Sequence, residues 1–169
     1  LYQLTFEQGT RFYQWMKSGR IVPLDDDLSA DLYDMTVARM SDRGLSLYEI
    51  SNFAAPGEEC RHNMVYWTGG DWIGVGPGGH GRIGRAPNRL ATTEWRSPEK
   101  WLTQVEGNTI GCETAVVLDQ AETAEELVLT GLRLDQGIQR TQFQRVTGLQ
   151  LDSTLNPEKI KELAKNGAL

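Results

Sequence analysis

GLSLYEISNFAAPGEECRHNMVYWTGGDWIGVGPGGHGRIG, residues 44–84, holds both histidines of the chain, one of its two cysteines and two of its five tryptophans. It reads as strand, polar loop, aromatic-rich segment, second strand and glycine loop. Leu45, Leu47 and Tyr48-Glu49-Ile50 make an apolar run of strand length. Ser51-Asn52 and Pro56-Gly57 close it with turn residues. Trp72-Ile73-Gly74-Val75 is the second apolar run. It leads into Gly76-Pro77-Gly78-Gly79, where the missing Cβ atoms let a backbone or a ligand come close.

Outward from this stretch, residues 1–5 read as a strand and residues 11–17 as a helix ended by Ser18-Gly19. Asp25, Asp26 and Asp27 offer an N-cap and favourable charge to a second helix. Its apolar positions are Leu28, Leu32, Tyr33, Val37 and Met40, with Gly44 placed to stop it. Strand, helices, strand is a βα pattern and suggests a piece of parallel sheet. Beyond Gly84, Ala86-Pro87-Asn88 is a turn, and Arg89-Leu90-Ala91-Thr92-Thr93 reads as an edge strand. Ser97-Pro98-Glu99 opens a short helix ending near Gly107.

The rest reads as helical. Asp119 with Glu122 resembles a capping box, and Ala124, Leu127, Val128 and Leu132 form the expected buried stripe. Ile138, Phe143 and Val146 mark another helix, stopped at Gly148. Asn156-Pro157-Glu158 starts the last, with Ile160 and Leu163 expected to point inward. The fold class is therefore α/β, with residues 1–115 as one domain and 116–169 as a small helical, winged-helix-like domain.

Composition narrows the function. Apolar content of 39% and charged content of 24% are those of an ordinary globular protein. A net charge of −6 and a pI near 5.0 argue against nucleic-acid binding, which needs a basic face. No apolar run approaches the roughly 20 residues of a membrane-spanning helix. Two widely spaced cysteines make no disulfide framework, so the expected location is cytoplasmic. A chain beginning at Leu1 reads as part of a longer one.

His62 is the sharpest candidate ligand. A neutral imidazole binds iron well, and Tyr66, Trp67 and Trp72 offer flat apolar walls. The alternative is that His62 and Asn63 cap a turn over core aromatics. Cys60 and His62 form a Cys-x-His pair, but no second pair stands at zinc-site spacing, so a structural cysteine is favoured. The glycine loop lacks the lysine of a phosphate-binding loop and matches no dinucleotide pattern. A tight turn is its plain alternative. Glu49 and Asn52 stand at a strand end, where parallel folds keep ligands, although Glu49 is equally suited to pairing with an arginine.

LYEISNFA, ECRHNMVYW and GDWIGVGPGGHG, with the opening LYQLTFEQGT and the later LTGLRLDQGI, carry a resemblance. It is to the radical S-adenosylmethionine family of oxygen-independent coproporphyrinogen III oxidases and their HemW-type heme-chaperone relatives. Gln8 stands where that family usually has proline, and Gly79 where it usually has alanine. His62-Asn63-Met64-Val65-Tyr66-Trp67 matches the HNxxYW string of the heme-chaperone branch. The resemblance implies the last strands and helices of an incomplete (β/α) barrel, followed by the helical domain.

It also implies a heme site at His62, Asn63, Tyr66 and Trp67, with His62 on the iron. An S-adenosylmethionine wall is implied at Thr5, Gly76, Gly78 and His80. The expected function is binding heme and passing it to acceptor proteins. The alternatives are an oxygen-independent coproporphyrinogen III oxidase and, from another class, a winged-helix binding module. The family's [4Fe–4S] cluster needs a CxxxCxxC run, whereas this chain has only Cys60 and Cys112. Cluster and S-adenosylmethionine chemistry therefore cannot be completed on these residues alone, and no catalytic residue is assigned.

Overall fold

In the computed structural model of the protein, the described residues are 4–108 and 110–167. They divide between two compact units, Leu1–Glu59 and Cys60–Leu169.

The first unit contains α1 (Arg11–Lys17), α2 (Asp26–Ser41) and a hairpin of β1 (Ser46–Glu49) and β2 (Asn52–Ala54). Each helix starts where a side chain takes up an otherwise unpaired backbone N–H. Thr10 Oγ1 accepts from the Tyr13 amide, and Asp25 Oδ1 accepts from the Leu28 amide at 2.8 Å. Gly44, at φ 75°, lets the chain leave α2, with the Leu45 amide reaching back to the Met40 carbonyl. The Tyr33 hydroxyl then donates to the Ile50 carbonyl at 3.1 Å and ties α2 to the hairpin. Leu28, Leu32 and Met35 on α2 remain exposed.

The expected parallel pairing of the opening strand involves residues 1–3, which lie outside the described residues; Leu4 and Thr5 adopt no regular structure. β1 pairs antiparallel with β2 because Ser51 and Asn52 turn the chain back at once. Glu49, fully buried, holds that turn by accepting from the Ser51 amide at 3.1 Å and from the Asn52 side-chain amide. No closed barrel forms among the described residues.

The second unit begins with α3 (Arg61–Trp67) and continues with β3 (His80–Ile83), β4 (Arg89–Glu94), α4 (Pro98–Asn108) and β5 (Cys112–Leu118). The three strands form an antiparallel sheet in the order β3-β4-β5. β4 is thus central and not the edge strand expected. Trp72-Ile73-Gly74-Val75 is not a strand. Only Trp72 bridges, to Arg82, while Ile73 is 70% and Val75 82% exposed.

The helices α5 (Gln120–Gly131), α6 (Arg140–Thr147), α7 (Leu151–Thr154) and α8 (Pro157–Lys165) complete the unit. The capping box is present: Asp119 accepts from the Glu122 amide while Glu122 accepts from the Asp119 amide, both at 2.9 Å. Gly148 at φ 74° stops α6, and Asn156 caps α8. Ala124, Leu127, Phe143, Val146 and Leu151 are the buried core.

The phase of α5 differs from the expected stripe. Thr123, Ala124, Leu127 and Gly131 face inward, whereas Leu132 is 53% exposed at the helix C-cap. Val128 packs only at the margin of the core. Ile160 and Leu163 of α8 are also exposed, contrary to expectation. Sheet and helices are joined by Arg82 of β3, whose guanidinium grips Glu126 of α5 through both carboxylate oxygens at 2.6–3.1 Å.

Candidate ligand site on the HNMVYW helix

The candidate site is built on α3. Its C-terminus is set by Gly69 at φ 69°, whose amide bonds the Tyr66 carbonyl while the Gly70 amide bonds the Val65 carbonyl at 2.8 Å. Those two bonds are a Schellman closure, which needs a residue free to adopt positive φ. The Leu127 side chain lies directly against Gly69, and Gln142 donates to the Thr68 carbonyl at 2.9 Å. The end of α3 is thereby pinned to the helical core.

Positions four apart share a helix face, so His62 stands over Tyr66. The Tyr66 hydroxyl lies 3.0 Å from His62 Nε2, and the rings meet edge to face with centroids 4.8 Å apart. His62 itself is exposed. Trp72 also packs on Tyr66, again edge to face at 4.8 Å. Trp67 is tilted against Tyr66 at 6.3 Å, and the Arg133 guanidinium lies 4.4 Å from its ring centroid. That cation covers part of the surface expected to serve as a wall. Asn63, half-buried, stands one turn before Trp67 on the neighbouring face.

The support beneath these rings was not among the expected site residues. Trp72 exchanges both backbone hydrogen bonds with Arg82, at 2.8 and 2.9 Å. Arg89, only 3% exposed, donates to the carbonyls of Gly84 at 2.8 Å and Gly70 at 3.0 Å, with its guanidinium carbon 5.8 Å from the Trp72 ring centroid. Burial pushes the Arg89 pKa below its ordinary value, and the carboxylates of Asp71 and Glu126 oppose that shift. The only signal for this in sequence was an arginine opening a strand. Its partners come from loops on either side and carry no local pattern.

The glycine loop packs on itself. A Cβ on Gly74 would stand 2.6 Å from the Gly79 carbonyl carbon. The Gly78 amide is taken by the Trp95 carbonyl and the Gly79 amide by Gly76. With those two donors occupied, the Gly76–Gly79 end of the loop closes as a tight turn. Gly76 and Gly78 have φ of 91° and 71°. His80 opens β3, exposed, with Nδ1 3.4 Å from Thr93 Oγ1 across the sheet. The structure thus brings His62 to Tyr66, and sets Gly76 and Gly78 in the loop that leads into His80 at the start of β3. Thr5 belongs to the first unit.

Cys60 is exposed and Cys112 half-buried, and both are free thiols. No group of three or more metal-ligating side chains gathers among the described residues. Two cysteines cannot hold a cluster that takes three.

Residues 118–169 match the family model for the HemN C-terminal domain. The chain is 35% identical over 192 residues to radical S-adenosyl methionine domain-containing protein 1, mitochondrial, of Dictyostelium discoideum, covering 100% of this chain and 43% of that protein. It is 37% identical over 140 residues to the heme chaperone HemW of Mycobacterium tuberculosis, covering 81% of this chain and 34% of the relative. Among solved structures, the coproporphyrinogen III oxidase HemN of Escherichia coli superposes with a TM-score of 0.59 at 15% identity. That likeness covers 85% of this chain and 35% of HemN.

The chain belongs to the HemN- and HemW-like radical S-adenosylmethionine family.

It spans less than half the length of these relatives. The likeness to HemN shows a shared fold, mixed α/β with small sheets, and no more than that. No helix among the described residues of this HemN- and HemW-like chain is long and apolar enough to cross a membrane.

Proposed function

We propose that this chain is the heme-handling part of a HemW-like chaperone that delivers heme to acceptor proteins, with His62 as the residue that would hold the iron. One observation carries the reading: an exposed imidazole at the rim of an aromatic cluster of Tyr66, Trp67 and Trp72. A heme carrier must release its cargo, and an exposed imidazole suits an exchangeable ligand better than one sealed in a core. These residues fit heme. Tyr66 meets the imidazole edge to face, Trp72 packs on Tyr66 in turn, and Asn63 stands on the adjoining face of the helix. Heme bound here would supply an iron centre, and the chain's residues would hold, orient and release it.

The relatives favour the chaperone over the oxidase. Proteins called heme chaperones match at 30–37% identity, whereas HemN matches in fold at 15%. S-adenosylmethionine contacts are proposed at Gly76, Gly78 and His80, while the [4Fe–4S] cluster finds no ligand set here, so no step is assigned to it. A cytoplasmic location completes the reading.

Hemin titration of the intact protein tests it. His62→Ala should weaken binding and shift the Soret band, while His80→Ala changes neither. A His62→Ala protein that titrates and absorbs like the wild type removes His62 as the ligand.

A further inference from the structure

We propose that Tyr66 is a latch on the ligand nitrogen of His62, a positioning residue that competes with bound iron and keeps heme exchangeable. The proposal rests on the heme reading of His62 given above and adds how that site is regulated.

The observation is the 3.0 Å contact between the Tyr66 hydroxyl and His62 Nε2. Imidazole has two neutral tautomers, and neither leaves Nε2 ready for a metal while this contact stands. If the phenol donates, its O–H occupies the Nε2 lone pair. If Nε2 carries the proton and donates to the phenol, there is no lone pair to give. The contact must therefore open before Nε2 can bind iron, and it can re-form when iron leaves. No covalent step or net proton transfer is needed for the first tautomer, in which the tyrosine keeps its proton throughout.

The two partners differ in freedom. Tyr66 is wedged against Trp72 at 4.8 Å, and Trp72 is held by two backbone bonds to Arg82 and by the Arg89 guanidinium beside it. His62 is exposed, whereas Tyr66 is half-buried. The imidazole is the member that turns, and the phenol is the fixed catch. Spacing creates this pair: a tyrosine four residues after a histidine on one helix lies under its ring. The rings' edge-to-face contact survives loss of the oxygen, so the hydroxyl can be tested without disturbing the packing.

Opening one neutral hydrogen bond near the surface alters an equilibrium about 2- to 10-fold. In the intact protein, Tyr66→Phe should bind hemin tighter by that factor, with the bound Soret band unmoved because His62 is still the ligand. Nitrogen-15 NMR of the histidines in the heme-free protein should show the Nε2 resonance of His62 shifting in Tyr66→Phe. In a His62→Ala background, Tyr66→Phe should give no gain, since the catch then has nothing to hold.

Tyr66→Phe with unchanged or weaker hemin affinity, while His62→Ala is impaired, overturns the latch and leaves the ligand assignment standing. Undiminished binding by His62→Ala overturns the ligand assignment, and the latch with it.

Discussion

Arg89 is almost wholly buried beside Trp72 and spans two turns at once, bonding the carbonyl of Gly84 through one terminal nitrogen and that of Gly70 through the other. Gly70 follows the closure of α3 and Gly84 follows β3. One side chain thus fixes the distance between the helix that carries His62 and the sheet that carries the glycine loop.

Replacing Arg89 by alanine leaves both carbonyls without that donor and opens a space beside Trp72. The expected cost is about 2–4 kcal/mol. Arg89→Lys should recover only part of it, because an ammonium cannot match the fork of a guanidinium. Urea unfolding of the two variants checks both statements; a lysine variant as stable as wild type would show that charge matters here and geometry does not.

In the helical core, Leu127 and Leu132 separate burial from helical phase. Leu127 is buried against Gly69, so Leu127→Ala should cost about 2–5 kcal/mol. Leu132, exposed at the C-cap, should tolerate alanine within about 0.5 kcal/mol. Equal losses in denaturant titrations of the two variants would contradict this packing.

Those two leucines also show what the sequence made legible. Helix starts and stops were readable because their chemistry is local: the Asp119–Glu122 box, Gly148 and Asn156 all act within one turn. Inward faces were less readable where a helix ends, since Leu132 keeps helical spacing yet sits past the last core contact. β5 escaped notice because its middle residues are exposed on both faces, so it shows no alternation. α3 escaped as a helix because Cys60 supplies no side-chain cap, whereas the equally short α1 starts after Thr10, which does. His62, Tyr66 and Trp72 stood out by residue type. Arg89 did not, because Gly70 and Gly84 lie far from it in sequence and offer it only backbone.

A pH dependence follows from the Arg140–Asp152 pair that links α6 to α7. The hydrogen bond from Arg140 holds the Asp152 carboxyl below its ordinary pKa. A folded-state pKa depressed in this way gives stability that is present above the ordinary aspartate value of about 3.9 and is lost as pH falls through the depressed one. The pair is exposed, so the effect is small and screened by salt. Thermal unfolding of wild type and Asp152→Asn should differ at neutral pH and converge in acid. A difference that persists unchanged below pH of about 2 would assign it to packing instead of charge.

Gly74 and Gly76 offer the last test, because the loop needs glycine at each for a different reason. At Gly74 the need is space: an added Cβ would meet the Gly79 carbonyl carbon at 2.6 Å, and backbone cannot swing aside as a side chain does. The strain passes to the neighbours, since Gly79 accepts the Glu94 amide at 2.8 Å and His80 opens β3. At Gly76 nothing lies within 4 Å of an added Cβ, and the only penalty is φ of 91°. Gly76→Ala should therefore cost about 1–2 kcal/mol from backbone conformation, and Gly74→Ala about 1–3 kcal/mol from overpacking. Only Gly74→Ala should move the amide resonances of His80 and Thr93, which face each other across β3 and β4. In the intact protein, that displacement should also weaken S-adenosylmethionine binding if His80 lines its site. Unmoved His80 and Thr93 resonances in Gly74→Ala would show that the loop has room to spare and that its glycines serve conformation alone.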